Sequence, residues 1–248
     1  MQFSRSVLRW TWPRRGGVRL IALQFAAGAV LAEAPGAAQP SVTRFAEGHW
    51  EQARWTALRL PHQPETKAFR QKPECIGTDA FSPEDRKQRR DNVLLMTDTG
   101  VQEGEFEVTF AIGPEKGSAP GVFLCPTVTD GVLESAFSVF VASYTMAVWR
   151  ATTNAETGET DYQHLARVNR WSEPGKRHVL RCRFSRKRKS IALRLDDSDV
   201  IMFRDVGLDI NSRVGIWGCH GTCDFYQLRM IDPPELPWSA SPPTEGGE

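Results

Sequence analysis

GEFEVTF, residues 104–110, alternates apolar and polar side chains at every step, so that Phe106, Val108 and Phe110 share one face and Glu105, Glu107 and Thr109 the other. A period of two is the signature of an extended strand with one face buried. The same grammar continues outward. Asn92–Met96 (NVLLM) precedes it, ahead of a turn near Asp98-Thr99-Gly100, and Gly121–Cys125 (GVFLC) follows the turn at Pro114–Pro120. Phe137–Arg150 (FSVFVASYTMAVWR) reads as two strands broken near Ser143, or one strand bent there, and Tyr162–Val168 answers across a tip at Asn154–Thr160. His178–Phe184, Ser190–Leu195, Val200–Arg204, Val214–Trp217 and Asp224–Met230 complete the series. Many short strands separated by turn residues specify an all-β sandwich or barrel. No repeat of fixed period accompanies them.

The ends of the chain have a different composition. Five arginines (Arg5, Arg9, Arg14, Arg15, Arg19) precede the first acid, Glu33, and Leu20–Leu31 is a weakly polar to apolar run. A basic segment, a short apolar segment and small residues at 32–38 have the layout of a secretory signal peptide over residues 1–38. The run is shorter than the roughly 20 apolar residues of a membrane span, so no stable span is expected after processing. Export to the periplasm or the exterior is the first expectation. Arg14-Arg15 also suits a twin-arginine route, and the acid-poor composition a mitochondrial presequence. The folded domain is expected over 44–232, and the Pro-rich, aperiodic 233–248 as a disordered tail. Between them, Glu47–Arg59 reads as a short helix or irregular entry, and Pro61–Asp91, with four prolines and the charged run Asp85–Arg90, as a long loop of the kind that carries function.

The chain of 248 residues is 40% hydrophobic and 25% charged with a net charge of +1, an ordinary globular balance with no overall attraction to nucleic acid. Local clusters remain. Cys219 and Cys223 enclose three residues and make a disulfide candidate; free buried thiols and a metal site are the other readings of the five cysteines. Asp196, Asp197 and Asp199 offer oxygens to Ca²⁺, although aspartates favour turns without any ion. Arg181, Arg183, Arg186, Lys187, Arg188 and Lys189 form the densest charge, suited to an acidic polymer, to lipid headgroups, or simply to keeping a hairpin wet.

The last hundred residues carry a family likeness. Val214-Gly215-Ile216-Trp217, then His220-Gly221, then Phe225-Tyr226-Gln227-Leu228-Arg229-Met230, with the pair 106–110 and 121–123 upstream, resemble the concanavalin A-like lectin/glucanase superfamily. Within it they are most similar to the 3-keto-disaccharide hydrolase domain of secreted bacterial proteins, which is related to family-sixteen glycoside hydrolases. The resemblance spans about 104–230 and implies a two-sheet antiparallel jelly-roll sandwich whose concave face often takes a carbohydrate. The E-x-D-x-x-E string of the glucanase branch is absent. Catalytic acids, if any, would come from Glu105, Glu107, Asp130, Glu134 or Asp224, and a retaining pair would need its carboxyls about 5 Å apart.

Aromatic residues are the stronger clue. Trp149, Trp171, Trp217 and Tyr144, joined by His220 and by Tyr162 and Tyr226, are candidates for stacking on sugar rings while their polar atoms bind hydroxyls. His164, His178 and His220 would serve acid–base chemistry only from within a pocket. Three functions follow: a carbohydrate-binding or surface module, a glycoside hydrolase, or an accessory domain that holds a protein partner.

Overall fold

The computed structural model describes residues 42–60, 68–80, 82, 84, 92–96, 103–154, 160–204 and 213–231. The expected signal peptide, the tail, the tip at 155–159, the run Asp85–Arg90 and much of the 61–91 segment lie outside the described residues. Two antiparallel sheets make up the rest. Along the first run β13 (Ile201–Arg204), β12 (Ser190–Leu195), β11 (Arg177–Ser185), β6 (Glu103–Ile112), β15 (Cys223–Ile231), β4 (Ile76–Gly77) and β3 (Arg70–Gln71), with β1 (Val42–Arg44) also pairing β15. Along the second run β10 (Thr160–Asn169), β9 (Thr145–Thr153), β8 (Val132–Ala142), β7 (Ala119–Thr129), β14 (Val214–Cys219), β5 (Asn92–Met96) and β2 (Trp55–Leu58). Chain neighbours are not always sheet neighbours: β6 lies between β11 and β15, and β14 between β7 and β5, as a two-sheet jelly roll requires.

Alternation explains the core. Phe106, Val108 and Phe110 of β6 are all but inaccessible, and Leu180, Cys182 and Phe184 on β11 and Ile191, Leu193 and Leu195 on β12 continue that layer. Val122 and Leu124 of β7, Phe137, Val139 and Val141 of β8, and Val148 and Ile216 meet them from the second sheet. Each such side chain contributes about 1.5–3 kcal/mol on leaving water, which makes this double layer the main stabilising element. Phe45, Trp50 and Trp55 close one end with ring centroids 5.1–6.1 Å apart. The expected short helix or irregular entry over Glu47–Arg59 holds one 3-10 turn, Gln52–Arg54, after which Trp55 opens β2.

Two features depart from strict period two. The β9–β10 register slips between His164 and Ala166, so Leu165 and Ala166 both lean on the core while His164 and Arg167 stay outside. Bulges re-aim side chains in this way. In the expected loop, β3 and β4 form a two-residue hairpin that Gln71 holds, its amide donating to the carbonyls of Phe45, Lys72 and Cys75 at 2.7–3.1 Å. Among the described residues no helix is long and apolar enough to cross a membrane.

The disulfide expectation is corrected. All five cysteines are free and buried. Cys223 points into the inter-sheet core and Cys219 into a second apolar cluster on the opposite side of its sheet, and Cys223 Sγ–H donates to the Cys219 carbonyl at 3.8 Å. Burial pushes the Cys223 thiol up to about 12 and Cys75 up to about 11, and these thiols stay protonated and inert at neutral pH.

Candidate functional site

The second apolar cluster lies on the outer face of the seven-stranded sheet and comprises Leu58, Leu60, Ala119, Phe123, Leu133, Ala136, Trp217 and Cys219. Cross-strand registers arrange that face in rungs. One rung runs Gly215, Phe123, Ser138, Trp149, His164; the next runs Trp217, Gly121, Phe140, Ala147, Arg167; a third runs Ala136, Ala151, Tyr162. Burial falls steadily along them. Phe123, Ser138 and Trp217 are buried, Trp149 is half-buried, and His164, Tyr162 and Arg167 are exposed.

Small residues make this ramp possible. A Cβ on Gly121 would sit 2.6 Å from Cδ1 of Phe140, so only glycine lets that ring lie across β7 and meet Trp217 edge-on at 4.9 Å. Ala136, Ala147 and Ala151 keep the floor low beside Trp149, whose ring lies 4.5 Å from that of His164 at 56°. Leu58 and Leu60 are fixed over the buried end because Arg59 bridges the β7–β8 turn, donating to Gly131 at 2.9 Å and accepting from Leu133 at 2.8 Å. Among the described residues, Ser138 Oγ and Trp217 Nε1 are buried on this face without a hydrogen-bond partner. Such groups cost stability unless something polar reaches them.

The open edge extends beyond the strands. Arg170 donates to the Tyr144 carbonyl at 3.1 Å and Ser172 to that of Ser143 at 2.7 Å, which carries Trp171 alongside the β8–β9 turn. The Tyr144 and Trp171 rings sit 4.6 Å apart, yet 71% and 54% of these residues are exposed. With Tyr162 they are three of the four large apolar residues most exposed among those described; Tyr144 and Trp171 stand where β9 begins and β10 ends, and Tyr162, opposite Ala151, stands toward the other end of that hairpin.

The other expected site residues lie elsewhere. His220 is exposed in the β14–β15 turn at φ +60°. Glu105 and Glu107 face outward from the eight-stranded sheet. They are not the wet strand face that alternation implies: Arg183 covers Glu105 at 2.6 Å, and Arg181 and Arg229 approach Glu107 at 2.6 and 3.7 Å. Asp224 accepts from Lys72 Nζ at 2.6 Å; burial works to lower the Lys72 pKa, and the hydrogen bond and charge of Asp224 more than reverse it. Tyr226 lies under the Arg177 guanidinium, 4.0 Å from the ring centre. Asp130 occupies a left-handed turn position at φ +50°, and the main-chain carbonyl of Glu134 accepts from Thr153 Oγ1 at 2.6 Å.

Asp196 is committed within its turn. One carboxylate oxygen accepts from the Val179 amide at 2.8 Å, and the other sits 3.0 Å from His178 Nδ1, whose Nε2 reaches the Glu173 carbonyl at 3.1 Å. Asp197 is fully exposed with Arg194 3.5 Å away. Among the described residues no three Asp, Glu, His or Cys side chains converge as a metal site. Ser138, Phe140 and Arg167 were not among the sequence candidates. Their signal was there, since counting in twos outward from Trp149 through the hairpins reaches the first two.

Several solved structures share this arrangement of sheets. A carbohydrate-binding module, CBM66 from Bacillus subtilis, matches over 71% of this chain and 94% of its own with TM-score 0.50 and 14% identity. The exoplasmic/lumenal domain of VIP36, in a Ca²⁺/Man3GlcNAc-bound form, matches over 79% and 94% with TM-score 0.52 and 12% identity. The laminarinase of Rhodothermus marinus matches over 76% and 94% with TM-score 0.53 and 12% identity. This is the concanavalin A-like fold. At such identities the likeness shows the concanavalin A-like scaffold alone, and chemistry must be argued from side chains. No protein-family model and no curated protein matches the sequence.

Proposed function

We propose that this chain is a carbohydrate-binding module that takes a glycan on the outer face of its seven-stranded sheet. The observation that carries the reading is a line of aromatic residues along β9 and β10: the half-buried Trp149–His164 pair, exposed Tyr162 one rung to one side of it, and exposed Tyr144 and Trp171 at the far end of the same hairpin. Exposed aromatic rings stack on the apolar C–H faces of sugars, and the neighbouring His164, Arg167 and Thr145 offer polar atoms for hydroxyls. Arg167 Nε already donates to Thr145 Oγ1 at 3.2 Å, which holds that polar edge in place. Proteins of this fold include a carbohydrate-binding module and a mannose-oligosaccharide-bound domain, which supports a glycan as the partner class.

A hydrolase of the 3-keto-disaccharide type is the lesser reading. It would need free carboxyls at the glycan, whereas Glu105 and Glu107 lie on the other sheet under guanidinium groups and Asp224 is tied to Lys72. Binding is also proposed to be independent of Ca²⁺, because both oxygens of Asp196 are engaged within the protein. Action outside the cytoplasm belongs to the same reading, supported by the basic and apolar leader.

A glycan array probed with the wild type and with Trp149→Ala and Trp171→Ala tests it. At least one glycan class should bind, each variant should lose about tenfold in affinity, equivalent to about 1.4 kcal/mol, and EDTA should change nothing. Absence of any glycan ligand, or binding that both variants retain, would sink the proposal and favour the accessory, partner-holding alternative.

A further inference from the structure

We infer that the outer face of the eight-stranded sheet, with the Arg186–Lys189 turn at its end, binds an acidic polysaccharide. The register places Arg194 directly opposite Arg181, Arg181 opposite Glu107, and Glu107 opposite Arg229, while Arg183 stands opposite Glu105 one step along. Arg204 on β13 and Arg44 on β1 extend the same face to both sides, because their neighbours Phe203 and Thr43 pair with the inward residues Ile191 and Leu228. Facing cations such as Arg181 and Arg194 repel each other, and a sheet gains nothing from placing them there on its own account.

The vertical order of charge is the second observation. Glu105 and Glu107 are 3% and 8% exposed, whereas the side chains of Arg181 and Arg229 are 41% and 40% exposed. The carboxylates therefore form a lower layer that holds the guanidinium stems, and the surface presented to solvent is cationic. Arg194 Nε has no hydrogen-bond partner among the described residues, and its guanidinium lies 3.5 Å from the fully exposed Asp197. The turn at the end of this face adds to its charge, since Arg186, Lys187, Arg188 and Lys189 are all exposed.

The chemistry selects the occupant. Guanidinium forks match sulfate and carboxylate groups two bonds at a time, and arginines already held in place lose little freedom on binding. A flat, regularly spaced array suits an extended polymer with repeating charges. Single-stranded nucleic acid would call for stacking rings, and the exposed aromatics lie on the other sheet. A membrane would call for apolar anchors, of which this face exposes only Met202 among the described residues.

Heparin serves as the sulfated probe, with neutral dextran, duplex DNA and phosphatidylserine/phosphatidylcholine vesicles in parallel, all against the full chain. Heparin should bind in a strongly salt-dependent manner and dextran should not. Arg194→Gln/Arg204→Gln, and separately Arg186→Glu/Lys187→Glu/Arg188→Glu in the exposed turn, should each lower heparin affinity tenfold or more with an unchanged circular dichroism spectrum, while Arg194→Lys/Arg204→Lys, which keeps the charge and loses the fork, should restore only part of it. Trp149→Ala should leave heparin affinity unchanged. Affinity that survives both sets of charge changes overturns the inference, as does DNA or vesicle binding as tight as that to heparin.

Discussion

The outward faces of the two sheets are built by the same alternation and end with opposite character. On the seven-stranded sheet the outward positions of β7, β8, β9 and β14 are Gly121, Phe123, Ser138, Phe140, Ala147, Trp149 and Trp217, a ramp from buried rings to exposed ones. On the eight-stranded sheet the outward positions of β6, β11 and β15 are glutamates capped by arginines. One face thus has depth, and the other is level and charged. The scaffold decides which residues point outward; it does not decide what they do there.

Substitution should separate the faces. The largest effect is expected from Trp217→Ala, which empties a buried ring site between Phe140 and Leu58 and should cost about 3–5 kcal/mol, read as a fall in thermal midpoint. Arg204→Ala, exposed on the other face, should stay within about 0.5 kcal/mol. Equal costs would erase the distinction. Glu107→Gln comes next. It leaves Arg181 and Arg229 without their shared carboxylate and should cost about 1–3 kcal/mol in denaturant unfolding, while raising affinity for heparin because the outer layer gains net positive charge.

A further effect, smaller than those of Trp217→Ala and Glu107→Gln, concerns neither face but the turns that join the sheets. Glu115, between β6 and β7, accepts from Thr222 N and Oγ1 at 3.3 and 2.9 Å and from Ser118 Oγ at 3.1 Å. Burial alone would raise its pKa, and these hydrogen bonds, with one from its own amide, outweigh burial and hold it below the usual 4.5. A carboxyl with a depressed folded pKa contributes stability above its unfolded pKa and loses it as the pH falls through the folded one. Glu115→Gln should therefore cost about 1 kcal/mol at pH 7 and progressively less below about pH 4.5, measured by urea unfolding across pH.

Much of this was legible in the residues. Strict alternation over 104–110 located β6 and assigned its inner face; over 178–184 it located β11 but left Val179 or Leu180 to start the buried face, and the core takes Leu180, Cys182 and Phe184. The break near Ser143 became the β8–β9 turn. The edges were not legible. β3 and β4 have two residues each and are held by a glutamine side chain, a long-range contact that no local pattern encodes. β2 was hidden because its tryptophan answers to an aromatic cluster rather than to a strand period. At the site, Trp149, Tyr144 and Trp171 were chosen by residue type alone, and Ser138 and Arg167 were missed. Ser138 could be reached by counting in twos from Trp149 across the β8–β9 hairpin, whereas the outward place of Arg167 follows from a bulge at Leu165 that the sequence does not announce.

The central claim is that a glycan occupies the seven-stranded face. Backbone amide shift mapping tests it most directly, with ¹⁵N-labelled protein titrated against the tightest oligosaccharide from the array. Shifts should concentrate on residues 136–151 and 160–171, with little change at 104–110, 180–195 and 225–230. Shifts confined to the arginine-bearing sheet would contradict the account.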